Sequence, residues 1–328
     1  MKYYFAPMDG ITDYIYRKLV WKHFPYWDKL YAPFIQPNDK PVIVPKEEFE
    51  IHPDNNVDIP MVPQVLTSSS EGFVKVGKIL CDYGYKEINL NIGCPAKIIV
   101  SKGKGAGMLK DVYDLERFFD EIFRYDWNID ITVKTRLGLT ENADYSEIVA
   151  VFSKYPIKEL IVHPRFRSDF YNGMPRLEEF EKTYEVISKN KACNINICYN
   201  GNINSIMDLE YICDKYPYIN SVMMGRGALS NPALIRKIKG GEDLSLDEFK
   251  SFHDDILEAY RSLGFNDKVL MYKMKEMWNY WSNSIELEQD LLKSLRLAGN
   301  EKEYIQIMNK VYDCWKIKEN YGLFKFYQ

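Results

Sequence analysis

From its first residues to about residue 240, short runs rich in β-branched and aromatic residues alternate with amphipathic helical stretches. Few folds accommodate that rhythm. Strands separated by helices pair in parallel, because a parallel neighbour can be reached only through a crossover. Strand-like runs fall near 3–8, 30–34, 60–66, 87–93, 131–137, 159–165, 194–201 and 221–229. Between them lie segments such as 69–84, which begins at a serine, repeats apolar residues at helical spacing and ends at Gly84. Eight strand–helix repeats predict a (β/α)8 TIM barrel. The proline-rich stretch 36–59 reads as an elaborated loop over the barrel mouth with a short hairpin.

After Gly240-Gly241 the strand-like runs stop and helical periodicity continues to the end of the chain. The expected division is therefore a barrel over 1–241 and a small helical domain over 242–328. In the latter, Lys268, Lys273 and Lys275 read as a stripe on one helix, either a solvated face or a local basic patch. Trp278, Tyr280 and Trp281 read as core at helical spacing.

Composition sets outer bounds. With 328 residues, 46% of them hydrophobic, the chain can bury a large core. Its apolar runs are too short to span a membrane, and its start lacks the pattern of a secretory leader, so a cytoplasmic protein is expected. Six cysteines without a CxxC pair argue against disulfides and against a zinc site. Cys193 and Cys198 are expected on one strand with opposite faces, as packing residues. His23, His52 and His253 are given surface or loop positions. The net charge of −4 leaves any nucleic-acid partner to local patches.

In a barrel of this kind the chemistry sits where strands end. Here those ends carry Pro7-Met8-Asp9-Gly10, Gln64, Asn91-Ile92-Gly93-Cys94-Pro95, Lys134 with Arg136, His163 with Arg165, Asn200-Gly201-Asn202 and Gly225-Arg226-Gly227. The two glycine turns stand where barrels often bind phosphate, and Arg226 adds a cation. Lys134 and Arg136 share one strand face, and a fixed ammonium there suits a ligand that becomes anionic, such as a reduced flavin ring. The run 102–107, KGKGAG, lacks the P-loop pattern and reads as a mobile loop beside Cys94.

Taken in order, APMDGITD at 6–13, PQV at 63–65, NLNIGCP at 89–95 with KGKGAGML at 102–109, VKTRLG at 133–138, VHPR at 162–165, YNGNI at 199–203 and MGRGAL at 224–229 resemble the tRNA dihydrouridine synthase family. The NxGCP segment with its following glycine loop is the specific part. The resemblance implies a bound FMN lined by Pro7, Met8 and Asp9, with Gln64 at the ring edge, Lys134 at the N1/O2 side and His163 nearby. It implies that Asn200, Gly201, Asn202, Gly225 and Arg226 hold the FMN phosphate. Asn91 and Arg136 would touch the target uracil or its nucleotide, Arg165 and Arg167 the RNA or a phosphate, and Cys94 would be the proton donor. The family pattern is broken at YAPF after the second strand, at Pro164, and at Asn202, where an acidic residue is common.

The implied reaction saturates the C5–C6 bond of uridine with a hydride from reduced FMN at C6 and a proton from Cys94 at C5. A thiol, which ordinarily titrates near about 8.5, is protonated at neutral pH and can donate. NADPH would supply the reducing equivalents. No GxGxxG fingerprint offers the dinucleotide a site of its own. Reaching a loop base means lifting it from its stack. The partner is thus tRNA, with no stable protein partner and a monomer expected. Two other readings stand: an FMN barrel oxidoreductase acting on a free small molecule such as a pyrimidine, and a non-catalytic tRNA-binding protein.

Overall fold

In the computed structural model, which describes residues 1–190 and 192–318, nine parallel strands form one sheet. They are β1 (Lys2–Phe5), β2 (Lys29–Tyr31), β3 (Met61–Val62), β4 (Gln64–Val65), β5 (Glu87–Ile92), β6 (Asp130–Arg136), β7 (Glu159–His163), β8 (Asn196–Tyr199) and β9 (Ser221–Met224). The order β3-β2-β1-β9-β8-β7-β6-β5-β4 puts β3 at one end and β4 at the other. These two are halves of one run, interrupted at Pro63, which has no N–H to give the ladder. β3 pairs with β2 and β4 pairs with β5, so the two ends of the sheet are one stretch of chain and a barrel results. The eight expected strand positions are all occupied.

By contact density the chain forms two compact units. The first comprises Met1–Pro7, Lys29–Gly201 and Cys213–Met223; the second comprises Met8–Asp28, Asn202–Ile212 and Met224–Gln328. Residues 319–328, the end of the expected helical domain, lie outside the described residues.

The first unit carries the sheet. Strand residues alternate between two faces: Ile88, Leu90 and Ile92 point outward, while Glu87, Asn89 and Asn91 line the lumen. Tyr4, Ala6, Tyr31, Val62, Ile161, Cys198 and Met223 fill the middle of the lumen as one apolar cluster. Helices Ser70–Asp82, Val112–Ile122 and Tyr145–Phe152 begin at Ser69, Asp111 and Asp144, whose side chains accept backbone N–H groups of the first turn. Gly77 allows close packing: a Cβ there would lie 2.6 Å from the Trp127 ring.

Three expectations for this unit are corrected. The 36–59 stretch holds helix Pro45–Ile51 and a 3-10 turn, Pro53–Asn55, in place of a hairpin. Glu47 accepts from the backbone N–H of Gln36, closing the loop on itself. The KGKGAG run is packed in its second half, where Gly105 to Leu109 form a buried 3-10 turn and the N–H of Ala106 bonds to the carbonyl of Cys94, while Lys102 and Gly103 are exposed. Cys193 precedes β8 in a turn and is not on the strand.

The second unit contains helices Tyr14–His23, Leu246–Ser262, Asp267–Ser284, Gln289–Leu297 and Glu301–Asp313. Ser245 and Glu248 form a reciprocal capping box at the start of the second of these. Its core is aromatic: Phe249, Trp278 and Trp281 meet edge to face, with ring centroids 5.2 to 5.9 Å apart. Trp278 and Trp281 are fully buried, as their spacing predicts. His253 is corrected from surface to core. Its Nε2 lies 2.7 Å from the Tyr304 hydroxyl, which also accepts from the Trp278 indole, and burial lowers its pKa. Among the described residues, no helix is long and apolar enough to cross a membrane.

Candidate active site

The site grows from the last residues of β4 to β7. Asn91 ends a strand whose next residues must turn, and its Oδ1 accepts the backbone N–H groups of both Gly93 (3.0 Å) and Cys94 (2.9 Å). That fixes the turn carrying the thiol. Asn91 Nδ2 donates to Gln64 Oε1 (2.8 Å), Gln64 Nε2 to Asn89 Oδ1 (2.7 Å), and Asn89 Nδ2 to the Thr132 hydroxyl (2.9 Å). Thr132 in turn donates to Glu87. One hydrogen-bonded chain thus runs along the lumen from the start of β5 to the Cys94 turn, and every amide in it has a fixed orientation.

Cys94 is half-buried and its thiol is reduced. Gly105 presses against it: a Cβ at Gly105, whose φ is +55°, would stand 2.9 Å from both the Cβ and the carbonyl oxygen of Cys94. Only glycine lets the loop seal that side of the turn.

Strand register sets Asn91 beside Lys134 and Arg136 beside His163. Among the described residues Lys134 forms no ion pair. Burial, and secondarily the charge of Arg136, push its ammonium down to about 8. Arg136 is buried and donates to the carbonyls of Gly93 (3.1 Å) and Phe166 (3.0 Å), with its guanidinium 5.3 Å from the centre of the Tyr171 ring. Asp169 and Tyr171 act on Arg136, but Lys134 is left as a buried cation beside it, and that environment fits a ligand carrying or acquiring negative charge.

His163 Nε2 lies 2.9 Å from Arg165 Nη1. A guanidinium only donates, so Nε2 accepts and the imidazole is neutral with its proton on Nδ1. Arg165 lies deeper than a strand-end position suggests. It is wholly buried and spends its other donors on the carbonyls of Asn172 and Gly173, which holds the loop after β7 in place. Arg167 donates to the carbonyl of Pro95, tying the same loop to the Cys94 turn. Asp169 pairs with Arg176 through two 3.0 Å bonds and lies below the usual carboxylate range because of that pair. Asn200 follows β8, its amide donating to the carbonyl of Met223 (2.8 Å).

In the second unit, Arg226 donates to Asn202 Oδ1 at 2.8 Å. The two glycine turns meet backbone to backbone there, since a Cβ at Gly227 would lie 2.2 Å from the carbonyl oxygen of Ile203. Met8 opens a tight turn whose N–H bonds to the Thr12 hydroxyl (2.8 Å), with Asp9 exposed at its tip. Two residues of consequence escape a sequence reading. Asn89 could have been found, because an amide two residues before Asn91 shares its face. Tyr171 sits in an irregular loop where no periodicity marks it.

A parallel barrel with a cysteine turn and a cationic lumen is the enzyme-bearing type of (β/α) barrel. The chain belongs to the dihydrouridine synthase (Dus) family, whose model matches residues 4–310. It is 26% identical over 316 residues to the tRNA-dihydrouridine(16) synthase of Neisseria meningitidis serogroup B, covering 92% of each chain. It is 26% identical over 234 residues to tRNA-dihydrouridine synthase B of Pasteurella multocida, covering 71% of this chain and 67% of that one. The fold is similar to that of morphinone reductase, with a TM-score of 0.52 at 8% identity over 74% of this chain and 87% of the other.

Proposed function

We propose that the protein is a tRNA-dihydrouridine synthase that reduces the C5–C6 bond of uridine in tRNA, using bound FMN and reducing equivalents from NADPH. The observation that carries the reading is the uncompensated Lys134 ammonium beside the Asn91-anchored Cys94 turn, in a chain of the Dus family. When bound and reduced, FMN supplies a hydride. Lys134 supplies the charge that matches the N1/O2 side of the reduced ring, with Gln64 at the ring edge and His163 nearby. The neutral His163 leaves that charge to Lys134 and Arg136. In the first unit, Pro7 is proposed to line the flavin, and Asn200 and Gly201 the phosphate. In the second unit, Met8 and Asp9 are proposed for the flavin, and Asn202, Gly225 and Arg226 for the phosphate.

Cys94 Sγ donates a proton to C5 of the uracil as the hydride arrives at C6, and the thiolate is then reprotonated from solvent. Asn91, with its oxygen held by the turn and one Nδ2 proton bonded to Gln64, keeps a second N–H for a uracil carbonyl. Arg136, braced by two backbone carbonyls, presents its remaining donors to the nucleotide. The helical domain over 242–328 is proposed as the grip on tRNA, and the protein as a monomer.

The test is mass spectrometry of nucleosides from uridine-containing tRNA incubated with the protein and NADPH, alongside a visible spectrum. A yellow protein that adds two mass units to uridine, with the activity lost in Cys94→Ala, supports the reading. A yellow protein that oxidises NADPH only with a free pyrimidine, or a colourless one that merely binds tRNA, overturns it.

A further inference from the structure

Lys273 does not join the solvated stripe expected of it. Its ammonium is turned in, donating to the backbone carbonyl of Gly10 at 2.7 Å and to Asp13 Oδ2 at 3.0 Å. It also lies 5.3 Å from the centre of the Tyr260 ring, whose hydroxyl donates to both oxygens of the same Asp13 carboxylate (3.0 and 2.9 Å). Asp13 in turn accepts the N–H of Tyr16 as N-cap of helix Tyr14–His23. All these residues belong to the second unit.

Gly10 is the residue that makes this arrangement possible and the one it constrains. Its φ of +80° lies in the left-handed region, and nothing would crowd a Cβ there, so the conformation itself calls for glycine. That twist aims its carbonyl at Lys273. On the other flank, the N–H and carbonyl of Met8 both bond to Thr12. Without Lys273 the turn is held at its base but not at its tip, where Asp9 is exposed. One helical turn beyond Lys273, Glu276 is partly buried, and burial together with the charge of Asp9 raises its carboxyl while Lys273 opposes the rise. Asp9 and Glu276 therefore repel each other beside the cation that Lys273 provides.

We propose that Lys273 is a positioning residue: by bridging the Gly10 carbonyl and the Asp13 carboxylate, it fixes the Met8–Gly10 turn in the form that accepts the flavin, so that helix Asp267–Ser284 sets cofactor affinity. This rests on the flavin reading above. The requirement is for a cation that reaches two acceptors at once. Arginine keeps that ability with its fork of donors, and methionine keeps the volume without it.

The experiment is titration of FMN into flavin-free wild type, Lys273→Met and Lys273→Arg, followed by flavin fluorescence and the visible spectrum of the bound form, with thermal unfolding of each apoprotein. The expected result is an affinity loss of about tenfold or more in Lys273→Met with an altered spectrum, and recovery to within about threefold in Lys273→Arg. An unchanged FMN affinity and spectrum in Lys273→Met, whatever its unfolding temperature, overturns the inference while leaving the flavin reading intact. A wild type that takes up no FMN overturns the flavin reading, and the inference with it. If Lys273→Met does not fold, Tyr260→Phe removes only the hydroxyl that helps hold Asp13. It should weaken FMN by about threefold, and no change there counts against the proposal.

Discussion

The two ends of the lumen solve the problem of buried charge in opposite ways. At the start of the strands, Lys29 lies 2.5 Å from Glu87 and 3.5 Å from Glu159. Tyr4 and Ser221 donate to Glu159, and Tyr31 and Thr132 donate to Glu87. There one ammonium serves two carboxylates and four hydroxyls donate to them, although burial still raises the Glu159 carboxyl. Burial pulls the Lys29 pKa down, but the two carboxylates outweigh it and the net direction is up. At the other end, Lys134 meets Arg136 and, among the described residues, has no carboxylate to pair with, and its pKa moves down. The same residue type in the same lumen is thus stabilised at one end and left wanting a partner at the other. The first end is finished as it stands; the second is finished by a ligand.

The contrast is broken most sharply at the thiol. Cys94→Ala should lower dihydrouridine formation by about a hundredfold or more, the share usually supplied by a positioned acid, with unfolding temperature unchanged. Nucleoside mass spectrometry beside a melting curve checks both halves. At the paired end the signs reverse. Glu87→Ala leaves Lys29 with a weaker partner and two hydroxyls without their acceptor. It should cost about 3 kcal/mol in denaturant unfolding, with turnover per folded molecule largely kept.

Lys134 sharpens the comparison because function and stability should part company there. Its ordinary value is 10.5 and its folded value about 8, so between those pH values the unfolded chain binds more protons and apoprotein stability rises with pH. Below about pH 8 the buried charge is a cost to the fold. Lys134→Met should therefore stabilise the apoprotein at neutral pH, by an amount on the order of 2 kcal/mol, while weakening FMN binding. In the wild type, activity that depends on the ammonium should fall as pH rises through about 8, unless bound flavin holds the proton on. A pH–rate profile of wild type against Lys134→Arg tests this. The smallest effect is expected midway along the lumen. Asn89→Ala breaks the amide chain between the two ends, costs about 1–2 kcal/mol and reduces turnover through a loosened Asn91.

Much of the upper end was legible from the chain because a hydrophobic run followed by a polar residue and a glycine marks both a strand end and a site. Asn91 and Cys94 stand at such an end, while Lys134, Arg136 and His163 stand out only as polar residues near the ends of their strands, and register brings Asn91 beside Lys134 and Arg136 beside His163. The lower end was missed, since Lys29, Glu87 and Glu159 begin their strands and a charge at a strand start reads as solvated. The depth of Arg165 was not legible, because spacing gives a strand face but not depth: the loop after β7 folds its own carbonyls over the guanidinium. His253 was misread because a histidine on a helix shows no sign of the tyrosines, Tyr304 and Tyr312, that bury it. Nor did local pattern reveal that Met8–Asp28 belongs with the last third of the chain, because that grouping depends on contacts far apart in sequence.

That last grouping bears on how the protein is made. Helix Tyr14–His23 leaves the ribosome early, yet the groups it packs and pairs with arrive more than two hundred residues later. Tyr16 and Phe24 meet Phe252, and Lys22 and His23 meet Asp255. Until helix Leu246–Ser262 emerges, that amphipathic segment has no place to bury its apolar face, and the Met8–Gly10 turn beside it lacks Lys273. Synthesis thus holds this nascent turn incomplete until nearly the whole polypeptide has been translated.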